Sequence, residues 1–103
     1  MICAIVEYKV KEGMTEAEIN EMFKTAAPMF QDTPGLHKKY FCFEKGTQNA
    51  LSFYLWESRE AAEQLFTDEL KEQFVQLSGF APVIRYVDPV LVIDNDIKEI
   101  QYF

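Results

Sequence analysis

With 103 residues and a formal charge of -7, the chain has room for one domain, residues 1–103, and lacks the basic balance that nucleic-acid binding requires. Its composition, 49% hydrophobic and 26% charged, is that of an ordinary globular protein, without low-complexity tracts, internal repeats or a membrane-spanning apolar run. A domain of this size buries roughly two-thirds of its unfolded surface, enough core to fold without a metal or a disulfide.

Cys3 and Cys42 both fall in apolar alternating segments, with no CxxC spacing and no His nearby. That pattern argues against zinc and reads as two buried free thiols. The N-terminal MICAIVEYKV is too short and too acidic for a signal peptide. A reducing cytoplasm is the expected location, with no membrane partner.

Ile2–Lys11 alternates Ile2, Ala4, Val6, Tyr8 and Val10 against Cys3, Ile5, Glu7 and Lys9, the period of a strand whose second face is half apolar. Glu12-Gly13-Met14 turns the chain. Thr15-Glu16-Ala17-Glu18 then has the form of a capping box, in which the Thr15 hydroxyl takes the Glu18 amide and the Glu18 carboxylate reaches back. Ile19, Met22, Phe23, Ala26, Ala27 and Phe30 follow at helical spacing, and Pro28 predicts a kink or an early stop.

Leu36–Phe43 and Ala50–Trp56 are short, aromatic-rich runs joined by the Gly-bearing Glu44–Asn49, the signature of two antiparallel strands. Alternation places Phe41 and Phe43 opposite Leu36, Tyr40 and Cys42. In the next strand it places Leu51, Phe53 and Leu55 opposite Tyr54 and Trp56. Ser58 caps a helix over Arg59–Phe66, Thr67-Asp68 breaks it and caps a second, and Gly79 ends that one. Pro82–Asn95 reads as one last strand, in which Pro89 demands an edge or a bulge. The tail, residues 96–103, keeps Ile97, Ile100, Tyr102 and Phe103 and is apolar enough to cover a neighbour's surface.

The order strand, helix, strand, strand, helix pair, strand is that of an α+β, ferredoxin-like split βαβ domain with helices on one face of an antiparallel sheet. The other face is expected to carry Leu51, Phe53 and Leu55, more apolar surface than a monomer tolerates in water. A homodimer packed sheet against sheet follows.

Pro34-Gly35-Leu36, Lys39, Tyr54-Leu55-Trp56-Glu57-Ser58 leading to Ala61-Ala62, and Val90–Asn95 together resemble the dimeric α/β-barrel superfamily, in particular the YdhR-like candidate monooxygenases. The resemblance spans nearly the whole chain. It implies a ferredoxin-like protomer, a homodimer and a ligand cleft between sheet and helices. It further implies an activity like that of the small antibiotic-biosynthesis monooxygenases, which oxidise aromatic polyketides without metal or flavin. Trp56 matches the strand-end tryptophan that lines the cleft in the superfamily, and Lys39 matches a recurring lysine. Haem-degrading relatives carry a ligand His in the helical region that corresponds to Ala61–Phe74; none is present here, which argues against haem.

Cofactor-free oxygenation needs a substrate anion, a phenolate or enolate, that reduces O2 itself, and a protein that orients it, favours its ionised form and excludes water. Trp56, Tyr54 and Tyr86 can supply walls that bind a small aromatic molecule, Lys39 or Arg85 an anion-stabilising charge, and His37 a base. Each also has a plainer reading: core packing for Trp56, strand packing for Tyr54 and Tyr86, a cross-sheet ion pair for Arg85, a solvated surface position for His37. Lys38-Lys39 puts two cations on opposite faces, so at most one enters a given cleft. No bound cofactor is called for, and no metal-ligand set, nucleophilic triad or phosphate-cradling loop is present. The leading expectation is a cofactor-independent monooxygenase. A non-catalytic small-ligand-binding dimer, or a cyclase or isomerase using His37, are the alternatives.

Overall fold

Period-2 alternation builds a four-stranded antiparallel sheet in the computed structural model, which describes residues 1–103. Strands β1 (Ile2–Lys9), β2 (Leu36–Phe43), β3 (Asn49–Trp56) and β4 (Val83–Val87) lie in the order β2-β3-β1-β4. Helices α1 (Glu16–Phe30), α2 (Arg59–Leu65) and α3 (Asp68–Ser78) complete the α+β ferredoxin-like order. The inward phase of β1 and β3 carries Ala4, Val6, Ala50, Ser52, Tyr54 and Trp56, all buried. Ile19 of α1 packs with Val10 and Ala50, while Ala62 of α2 and Phe66 just beyond it pack with Tyr54 and Trp56. The helices therefore share one face of the sheet.

The helix boundaries follow from their caps. Thr15 Oγ1 accepts from the Glu18 amide at 3.2 Å and the Thr15 amide donates to Glu18 Oε1 at 3.0 Å, the reciprocal box expected. Ser58 accepts from the Ala61 amide and Thr67 from the Leu70 amide. Gly79 ends α3 in the left-handed conformation, φ 82°. Pro28 acts as an early stop: α1 ends two residues later, and the Gln31 amide tightens the last turn by donating to the Pro28 carbonyl.

Two sequence expectations are corrected. Leu36 does not share a face with Tyr40 and Cys42. A β-bulge between Leu36 and Lys38 leaves Leu36 opposite Trp56 and Lys38 opposite Leu55, so Leu36 packs on the core while Tyr40 and Cys42 face outward. The strand expected over Pro82–Asn95 is two strands. Asp88-Pro89-Val90 interrupts it, since Pro89 has no N–H to give to a ladder, and β5 (Leu91–Asp94) leaves the sheet to pair with β6 (Glu99–Tyr102). The tail thus forms a hairpin whose Ile93, Ile97, Ile100 and Tyr102 side chains are exposed.

The outward face of the main sheet presents Ile5, Leu51, Phe53, Leu55, Val83 and Val87, with Cys3 and Cys42 half-buried among them as free thiols. No helix covers it, and no helix in the chain is long and apolar enough to cross a membrane.

Candidate functional site

Between the helices and the inward face lies a cavity of about 160 Å³. Its floor is Val6 and Tyr8 of β1, Phe41 and Lys39 of β2, and Ser52 and Tyr54 of β3. Met22, Phe23, Ala26 and Phe30 of α1 close one side and Leu70, Lys71, Phe74 and Leu77 of α3 the other. The lining is mostly apolar, with a few convergent polar groups, the composition expected of a small-ligand site. Its volume is close to that of a cavity that holds a single benzene ring.

The lysine is the unusual member. Register places Lys39 opposite Tyr54 on the inward face. Its Nζ lies 3.4 Å from the centre of the Phe30 ring, 4.0 Å from Phe41 and 4.6 Å from Tyr54. It belongs to none of the four ion pairs in the chain, all of which are on the surface. Burial without a carboxylate brings its pKa down to about 7. The three ring faces pull the other way, because each attracts the ammonium. The result is an amine poised between its charged and neutral forms near neutrality.

The hydroxyls nearby are shifted as well. Burial raises the Tyr54 phenol first of all, with Tyr8 adding to the rise and the Ser52 hydroxyl offsetting part of it. Tyr8 is raised by burial in the same way, again moderated by Ser52. Both tyrosines stay protonated at neutral pH and can donate. Ser52 is 1% exposed and lines the same cavity as both phenols.

The residues singled out in the sequence fall into three groups. Lys39 and Tyr54 meet in the cavity. Trp56 shares their face but lies behind Tyr54, stacked on it at 5.7 Å and capped by the Phe66 edge at 5.9 Å. It is fully buried, does not line the cavity, and its indole N–H has no partner. Tyr86 also faces inward, 6.4 Å from Phe66, but at the edge of the core, where the Arg59 guanidinium sits 4.2 Å from its ring.

Arg85 and His37 are elsewhere. Arg85 pairs with Ile5 on the outward face, and His37 is exposed at the bulge, where it lines a groove of about 520 Å³ under the β5–β6 hairpin. Sequence reading overlooked Phe30, Phe41, Phe66, Tyr8 and Ser52. Ser52 carried a usable signal: it is the one polar residue in the inward phase of β3 between Ala50 and Tyr54. Nowhere does a group of three or more His, Cys, Asp or Glu side chains come together to hold a metal ion.

No protein-family model matches the chain, and no curated protein matches it. Solved structures do. The monooxygenase ActVA-Orf6 of Streptomyces coelicolor, in complex with nanaomycin D, superposes with a TM-score of 0.63 at 19% identity, over 85% of this chain and 86% of that one. A candidate antibiotic biosynthesis monooxygenase of Caulobacter crescentus gives 0.64 at 23% identity, over 86% and 89%. A mutant of SnoaB, a cofactor-independent oxygenase of Streptomyces nogalater, gives 0.59 at 14% identity, over 85% and 91%. The chain shares the ferredoxin-like fold of these proteins, the fold that the resemblance read from its sequence implies.

Proposed function

We propose that the chain is a cofactor-independent monooxygenase that binds a small aromatic substrate in the sheet–helix cleft and passes its electrons directly to O2. The observation that carries this reading is Lys39: an amine without a counter-charge, held among three aromatic rings in a mostly apolar cavity. A phenol or enol entering the cavity supplies the missing anion. Lys39 in its neutral form takes the acidic proton, and the resulting ammonium stabilises the phenolate or enolate beside it. The anion is electron-rich enough to reduce O2. When an activated methylene is oxidised, one oxygen atom becomes the new carbonyl and the other leaves as water, with all four electrons drawn from substrate.

Fold similarity to ActVA-Orf6 and SnoaB supports the reaction class. The cavity volume favours single-ring substrates over three-ring ones. Lys39, Tyr54 and the wall formed by Phe30 and Phe41 are the binding residues in this reading, with Trp56 and Tyr86 bracing the wall from behind. Arg85 and His37, on the other side of the sheet, have no direct part.

The protein acts as a homodimer in the same proposal. Phe53, Val83, Val87 and Tyr40 are 44%, 54%, 43% and 60% exposed on the outward sheet face, which no helix covers, and offer apolar surface to a second copy. The two free thiols suit the cytoplasm.

The test is oxygen uptake with single-ring quinols and enolisable aryl ketones, read beside Trp56 fluorescence. Uptake that depends on substrate and falls by about 100-fold in Lys39→Met supports the reaction. Saturable quenching of Trp56 without uptake identifies a binding module instead. Turnover without O2 consumption points to a cyclase or isomerase.

A further inference from the structure

In the proposed oxygenation neutral Lys39 takes a proton and its ammonium then serves as counterion; the same neutral amine is also a nucleophile. We propose that Lys39 also captures single-ring aromatic aldehydes in the sheet–helix cleft as a Schiff base. Three observations meet at this side chain. Its nitrogen has no carboxylate partner to hold it as an ammonium. It lines a cavity of about 160 Å³, and the Phe30, Phe41 and Tyr54 rings lie within 4.6 Å of it, so a bound aryl group would rest on the same walls. The Tyr8, Ser52 and Tyr54 hydroxyls line the same space and can donate a proton to a carbonyl oxygen.

The step balances without an oxidant or reductant. The nitrogen lone pair adds to the carbonyl carbon, and the carbonyl oxygen takes a proton to give a carbinolamine. The hydroxyl then leaves as water with a proton from nitrogen, and the C=N bond remains. Aldehydes suit the site because the carbinolamine and imine carry their polarity at one end of an otherwise apolar ring.

The groups that face Lys39 settle its dependence on pH. Tyr54 of β3 and Tyr8 of β1 are neutral below their raised pKa values. Lys71 of α3 brings a like charge, shared with Asp68 at 3.9 Å. The cavity-lining residues of α1 are all apolar. No titrating anion holds the ammonium, so the amine becomes reactive as pH rises through about 7. At that pH it offers roughly a thousandfold more neutral amine than an ordinary lysine.

Treating the intact chain with benzaldehyde and cyanoborohydride under nitrogen near neutral pH, then mapping benzyl adducts by tandem mass spectrometry, tests this. Lys39 is expected to label at least about tenfold faster than its exposed neighbour Lys38, with a rate that levels off above about pH 7. Anthracene aldehyde, with three rings, is expected to label Lys38 and spare Lys39. Equal rates at the two lysines, or an unmodified Lys39, would overturn the proposal. Lys39→Met should lose the fast adduct. If that variant does not fold, the Lys38-to-Lys39 ratio and the pH profile of the native chain decide alone. Because oxygen is absent, aldehyde capture can fail while oxygenation stands, and the reverse.

Discussion

Lys39 and Tyr54 face each other across the β2–β3 ladder, and the lysine nitrogen rests 4.6 Å from the centre of the tyrosine ring. The pair puts an amine and a phenol, both shifted by burial, on the floor of the cavity between sheet and helices. A lysine at a core-facing strand position costs stability, because the chain gives up hydration of the ammonium and gains only ring faces in return. The proposed function gives a reason to keep it there.

That cost has a sign and a pH window. The folded pKa of Lys39 is about 7, below its ordinary value of 10.5, so between these limits the unfolded chain binds more protons than the folded one. Stability therefore rises with pH across that window on account of Lys39. Lys39→Met removes the effect. In urea titrations the native chain is expected to gain stability from pH 7 to pH 10 and the variant is not, so that any advantage of the variant is largest near pH 6 and shrinks towards pH 10.

Trp56 is a core residue with an orphaned N–H. Trp56→Ala should cost about 3–5 kcal/mol, the usual range for emptying a large buried site. Trp56→Phe keeps the stack on Tyr54 and deletes the unpaired donor, so it should cost less than about 2 kcal/mol. In the native chain the emission should be blue-shifted and resistant to acrylamide.

Gly35 is held at φ +79°, with its carbonyl accepting from the Glu57 amide at 2.7 Å. A Cβ there would come within 2.6 Å of the Ala61 Cβ. Gly35→Ala is expected to lower stability by about 2–4 kcal/mol, from the backbone conformation and the clash together. Thermal unfolding measures it, and a loss below half a degree would contradict this account.

His37 is exposed on the side of the sheet away from the cleft. His37→Ala should leave oxygen uptake unchanged and stability within about 0.5 kcal/mol. Abolished turnover would instead favour an isomerase whose site is the outward groove.

Phe53 lies on the outward sheet face, on β3 between two paired strands, and lines the groove under the β5–β6 hairpin. If the proposed dimer forms, Phe53→Lys is expected to convert it to a monomer by light scattering at micromolar concentration, without loss of helical circular dichroism. A native chain that is already monomeric would remove the sheet-to-sheet pairing.

Much of this was readable from residues alone. The Thr15–Glu18 box, the Ser58 and Thr67 caps and the Gly79 stop act locally, so sequence determines them and the structure agrees. Opposite orientation of Lys38 and Lys39 also follows from period 2 alone. What failed depends on pairing between distant strands. No local feature around His37 announces the bulge that turns Leu36 inward; it shows only in the register of β2 against β3, where Leu36 meets Trp56. Pro89 signalled an irregularity but not its scale, since whether a strand bends or departs depends on whether a second strand waits for it, here Glu99–Tyr102. The cleft was legible in its strand residues and not in Phe30 or Phe66, whose helices have to dock before they can form a wall.

The bulge also makes one place in the sheet tolerant of a change in chain length. Elsewhere in β2, losing a residue would invert everything on one side of the cut and send inward side chains out into water. At His37 the extra residue is already unpaired, so removing it would straighten the strand while Leu36 still meets Trp56 and Lys39 still meets Tyr54. Natural variants of this fold that are one residue shorter there would keep the same cleft, and an alignment that forced a gap anywhere else in the strand would assign the wrong lysine to it.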